Sequence, residues 1–169
     1  MKRKSWTMFR KNIEGVIAEF DLFRSFKSIN ITQIENIDRR FMLSFVKSGR
    51  HSAKFYGWIW EWLKDEERWG KHSPDYKKTS EIIRYTVGDT DEDLYIIFTE
   101  TYRESQKFWY YEGKIEAMIT VIEETAGVDE FYIFDKKFTW LIGQNHHDVI
   151  FAAGIEKTAG LKKGFEIYG

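Results

Sequence analysis

A chain of 169 residues, 43% of them hydrophobic, suits a single domain, because two smaller ones would each bury surface poorly. It contains no cysteine, which excludes disulfides and thiolate metal sites and is compatible with a reducing compartment. The net charge of −1 hides an uneven layout: residues 1–56 carry twelve Lys and Arg against five acids, and residues 89–130 carry twelve acids against three bases. Such blocks either neutralise each other on folding or steer a charged partner. Seven Trp, nine Tyr and fourteen Phe imply an aromatic core, a partner-facing aromatic surface, or both.

The opening MKRKSWTMFRKNIEGVIAEF is basic but has no continuous apolar stretch of the kind a signal peptide needs. No segment approaches the roughly 20 apolar residues of a membrane span, so a soluble cytoplasmic protein is the expectation. Trp6, Phe9, Ile13, Val16, Ile17 and Phe20 recur at spacings of three and four, which predicts a helix with Ser5 as N-cap. A second helix starts near Thr32, with Ile34, Ile37, Phe41 and Phe45 on one stripe, and stops at Ser48-Gly49. The block KFYGWIWEWLKDEERWG fits a strand through Trp58, Trp60 and Trp62, or a helix through Phe55, Ile59, Trp62 and Leu63. The helix is favoured by the strong helix formers that follow. It places Trp58 and Trp62 in the core and leaves Trp60 as the ring available for recognition. Pro74 marks a connection, and a third helix runs from Asp75 to Val87, closed by Gly88.

Beyond residue 88 the composition turns to aromatic and β-branched runs: 94–100, 107–113, 130–136, 138–143 and 148–154 read as strands. Ile115, Met118, Ile119 and Ile122 predict a helix ending near Gly127. The expected fold is one α+β domain over residues 1–169. A mainly helical half (1–88) packs on one face of a five-stranded, mainly antiparallel sheet ordered β-β-α-β-β-β in the other half (89–169).

Asn145, His146, His147 and Asp148 interrupt the apolar run between the last two strands, and Asn and Asp favour turns. With Phe138, Trp140 and Ile142 on one strand face, continued by Val149, Phe151 and Ala153, these four residues form the tip of a hairpin. A metal site is disfavoured because adjacent residues of extended chain point apart, and because His51 and His72 lie in the helical half. No metal or other cofactor is expected. Acid–base use of a histidine stays open. The tract DTDEDLYIIFTE (89–100) lacks the spacing of a calcium loop, and Glu123-Glu124 is an ordinary helix end. The sequence holds no P-loop, GxGxxG, GxSxG or HExxH. Lys2, Arg3, Lys4, Arg10 and Lys11 read as a solvated helix surface rather than a nucleic-acid site.

Tyr111-Glu112-Gly113, Glu130-Phe131-Tyr132-Ile133, Lys136-Lys137, Trp140-Leu141 and Asn145 to Val149 together form a pattern over residues 107–154. In this pattern the chain resembles an uncharacterised family of small bacterial proteins known as a domain of unknown function, with Ala152 where glycine is expected. The resemblance implies fold but no catalytic residue; in style it is similar to immunity proteins of bacterial toxin systems, which inhibit by binding.

Three function classes follow. The first is a non-enzymatic protein-binding module, an antagonist of a toxin with a basic partner, engaged through Asp89, Asp91, Glu92, Asp93 and Trp60. The second is a small-molecule binder or enzyme that uses Asn145, His146, His147 and Asp148 with Tyr132 or Trp140. The third is a homo-oligomer that buries its surplus aromatics in a self-interface.

Overall fold

The structure is a computed structural model that describes residues 6–47, 59–64, 68–73, 75–102 and 105–169. Among these, the chain forms five α-helices and seven strands. Helix α1 (Met8–Glu19) buries Phe9, Ile13, Val16 and Ile17 along one stripe, and the Thr7 hydroxyl caps it by accepting from the Arg10 amide at 3.2 Å. The expected cap Ser5 lies outside the described residues. Strand β1 (Phe26–Ser28) follows, and then α2 (Ile31–Phe45), capped by Asn30 and burying Ile37, Phe41, Met42 and Phe45. The expected stop at Ser48-Gly49 is also outside the described residues.

Over its described residues, 59–64, the tryptophan block departs from the expected helix. Residues 55–58 are outside the described set, and Ile59–Trp62 forms a single 3-10 turn. Its backbone is committed elsewhere: the Lys47 amide donates to the Trp62 carbonyl, the Lys64 amide donates to the Phe45 carbonyl, and Leu63 bridges Val46. Those pairings draw the chain into an extended form at Leu63 and end any helix there. Ile59 and Leu63 are therefore the buried members, whereas Trp62 is 37% exposed and not core.

Strand β2 (Arg68–His72) precedes α3 (Tyr76–Val87), whose N-terminus is capped by the Asp75 carboxylate and whose C-terminus is capped by Gly88. Strands β3 (Leu94–Tyr102) and β4 (Ser105–Gly113) form a long hairpin. Helix α4 (Ile115–Glu124), β5 (Glu130–Phe134), β6 (Leu141–Gln144), β7 (Val149–Ala153) and α5 (Ile155–Tyr168) complete the chain. All pairings are antiparallel, in the order β1-β4-β3-β5-β6-β7-β2.

The α+β class holds, with three corrections. The sheet has seven strands, because β1 and β2 of the N-terminal half add to its two edges. Residues 155–168 form a helix that the sequence reading omitted. Helices cover both faces: α1, α3, α4 and α5 share a core with Ile96, Phe98, Tyr111 and Ile133, while α2 and the 3-10 turn share another with Ile97, Tyr132, Phe134 and Phe151. Covering both faces is why all five residues of β5 are buried and its hydrophobicity does not alternate.

Register also corrects the hairpin faces. Phe138 sits in the β5–β6 turn at φ 62°, and Ile142 pairs with Ala152 while Phe151 pairs with Gly143. Ile142 and Phe151 thus lie on opposite faces of the sheet. Phe151 can lie over Gly143 because that position has no side chain: a Cβ there would meet the Phe131 carbonyl at 2.6 Å and the Phe151 ring at 2.7 Å.

Candidate functional site

The α2 face of the sheet carries Arg68, Gly70 and His72 of β2 in register with Ala153, Phe151 and Val149 of β7. Of these, Arg68, Gly70, His72, Val149 and Phe151 line an open cleft of about 560 Å³. Trp60 of the 3-10 turn and Leu63 just after it make one wall, and Asn145 and His147 of the β6–β7 turn make another. The volume is in the range of small-molecule pockets.

The turn itself is tightly specified. The Asn145 amide donates to the Val149 carbonyl, and its side-chain oxygen accepts from the His147 and Val149 amides, both at 3.0 Å. Asp148 takes a positive φ of 56°, which Asp tolerates. The hairpin-tip reading therefore holds, but the turn is not extended chain. Its coiled backbone places the His146 and His147 rings side by side, centroids 4.1 Å apart, with Trp60 edge-on to both.

Beneath His146 lies a polar group that the sequence did not mark. Glu130 is 1% exposed; the Tyr132 phenol donates to one carboxylate oxygen and His146 Nδ1 lies 3.2 Å from the other. Burial pushes the Glu130 carboxyl above its ordinary value, although the hydrogen bonds from Tyr132 and His146 oppose it. Burial likewise holds the Tyr132 phenol well above its ordinary range, with the Glu130 charge adding to it. The legible signal was parity: positions 130 and 132 of a strand share a face. For β2, an exposed five-residue edge with one glycine, no local signal exists.

Several expected placements change. His72 is not remote: it pairs with Val149 and shares the cleft with His147. His51 and Trp58 lie outside the described residues. Trp140 is absent from this site; its ring lies at the other end of β6, beneath the Lys157 ammonium. Arg10 is not solvated surface but 8% exposed, paired to Glu14 at 2.6 Å and stacked against Trp6, Trp109 and Tyr111. Trp60 and the acidic tract do not form one surface. Asp89, Asp91 and Glu92 are exposed just before β3 begins, whereas Trp60 sits by the turn at the opposite end of the strands. Asp93 is tied to Lys114 at 3.1 Å. Among the described residues no cluster of three or more His, Asp or Glu could hold a metal ion, and no helix is long and apolar enough to cross a membrane.

No curated protein and no solved structure matches this sequence. A family model described as "Family of unknown function (DUF6756)" matches residues 5–165, far beyond the 107–154 pattern and including both walls of the cleft. The chain belongs to that family of unknown function.

Proposed function

We propose that this chain is a non-catalytic binding protein whose ligand seats in the cleft between Trp60 and the 145–148 turn. The observation that carries this reading is the cleft's construction: apolar surface from Trp60, Leu63, Val149 and Phe151, nitrogen donors from Arg68, His72 and His147, and a turn braced from behind by buried Glu130. Among the described lining residues there is no hydroxyl, thiol or carboxylate to serve as nucleophile. A cytoplasmic location is part of the same reading.

Val149 is half-buried at the cleft, so Val149→Phe projects a ring into it without opening the core. A fragment screen by ligand-observed NMR, run on the native protein and on this variant, tests the reading. Fragments whose binding disappears in the variant support it; a set of hits indifferent to Val149→Phe, or no hits, sinks it.

A second reading, antagonism of a basic protein partner, is favoured by the acidic loop. Gly88 ends α3 at φ 79°, the Thr90 hydroxyl accepts from the Glu92 amide at 3.1 Å, and Lys114 Nζ bonds the Asp91 carbonyl. The exposed carboxylates of Asp89, Asp91 and Glu92 are thereby presented on a braced loop, which lowers the entropic cost of docking. Stoichiometric co-purification of a basic protein, lost on charge reversal, is its test.

A further inference from the structure

We infer that the cleft selects a small ligand carrying an oxyanion, a carboxylate or a phosphate, on a flat apolar body. The inference rests on the binding-cleft reading above and adds the chemical class of the occupant.

The argument is an inventory of donors and acceptors. The cleft presents the imidazoles of His72 and His147, each able to donate, and both residues are exposed. The Arg68 guanidinium, a donor only, is anchored to the wall by Nη1 donating to the Trp60 carbonyl at 3.1 Å. The Trp60 indole Nε1–H, again a donor only, is buried with no hydrogen-bond partner among the described residues. The obvious acceptor, Asn145 Oδ1, is already engaged by two backbone amides. Each neutral imidazole also offers one acceptor nitrogen, but among the described lining side chains the Arg68 and histidine donors outnumber the free acceptors, and the complement is an acceptor-rich group. Trp60, Leu63 and Phe151 supply apolar surface next to those donors. A flat ring against Trp60, with its oxyanion toward His72 and His147, satisfies both halves of the lining. Asp65, Glu66 and Glu67, which precede Arg68 in the sequence, lie outside the described residues; a cationic probe decides whether they reverse the preference.

The experiment follows the Trp60 indole N–H resonance in ¹⁵N-labelled full-length protein, assigned by its disappearance in Trp60→Phe. Four probes of similar size are titrated: benzoate, phenyl phosphate, benzyl alcohol and benzylamine. The expected result is a saturable shift with one or both anions, binding at least about tenfold weaker for the alcohol and amine. In the His72→Ala/His147→Ala double variant, checked for native fold by its spectrum, anion affinity falls about tenfold or more. Benzoate against phenyl phosphate separates the two oxyanion sources. Equal binding of benzyl alcohol, preference for benzylamine, or full anion affinity in the double variant overturns the oxyanion assignment but leaves the cleft reading standing. If none of the four moves the resonance and no fragment is sensitive to Val149→Phe, both readings fall.

Discussion

His146 Nδ1 lies 3.2 Å from a carboxylate oxygen of Glu130, which is 1% exposed. The tip of the β6–β7 hairpin is thereby tied to β5, a strand with no solvent-facing side. This pair explains how a turn at the end of a sheet can be rigid enough to form one wall of a cleft. His147 of this wall and Trp60 of the other both pack against the His146 ring, whose orientation the core dictates.

Removing the carboxylate and replacing it have different consequences. Glu130→Ala leaves the Tyr132 hydroxyl without its acceptor at a fully buried site and opens a void, so a loss of about 2–4 kcal/mol is expected in urea melts. Glu130→Gln keeps an oxygen acceptor and removes a poorly solvated charge. Its stability near neutral pH should stay within about 1 kcal/mol of the native protein. An equal, large loss in both variants would show that the charge itself is required.

Two carboxyls shape the acid limb of stability in opposite senses. Burial pushes the Glu130 carboxyl above its ordinary value of 4.5, so the folded state binds its proton more tightly than the unfolded state does. Its contribution to stability is lost as pH rises from 4.5 through the folded value and regained on acidification. Burial also acts to raise Glu112, but hydrogen bonds and charges from Lys136 and Lys27 outweigh it and hold that carboxyl below 4.5. Glu112 therefore stabilises above 4.5, and that contribution is lost as pH falls through its folded value. In melts from about pH 3 to about pH 7, Glu112→Gln should flatten the limb below 4.5 and Glu130→Gln should flatten the slope above it. The converse assignment would reject the two causes named.

Three glycines should respond differently to alanine. Gly143→Ala drives a Cβ into the Phe131 carbonyl and the Phe151 ring, costing about 2 kcal/mol or more. Gly70→Ala meets its neighbours at 3.0 Å, a tighter fit than usual but less severe, and costs less than Gly143→Ala. Gly15 is exposed within α1 and a Cβ there meets nothing within 4 Å, so Gly15→Ala should stabilise by about 0.5–1 kcal/mol through helix propensity. Thermal unfolding of the three variants orders them directly.

Charge reversal on the acidic loop separates electrostatics from folding. Asp91→Lys/Glu92→Lys alters two exposed side chains, and the Asp91 group that Lys114 grips is its backbone carbonyl, so stability should change by no more than about 0.5 kcal/mol. Asp93 is left intact because it pairs with Lys114. Capture of a basic partner from lysate at low salt should fall at least about tenfold in this variant. Unchanged capture, together with an unchanged salt dependence, would remove the loop from the recognition surface.

The local sequence determined those elements whose signals are strong and continuous. The stripes of α1 and α2, the span of α3 and its Gly88 cap, the β3–β4 and β6–β7 hairpins and the Asn-His-His-Asp turn were all legible, because periodicity and capping are encoded within a few residues. Strand β2 was not, since RWGKH has no alternation and becomes a strand only because β7 offers it an unpaired edge. Over its described residues, 59–64, the helical periodicity of the tryptophan block was overridden by backbone pairing with Phe45, Val46 and Lys47 at the end of α2, which no local pattern contains. The candidate site inherits this division. Its turn was visible in sequence, but its floor, its distant histidine and its buried carboxylate come together through long-range strand register. A cleft depends on which segments meet, and only the tertiary structure decides that.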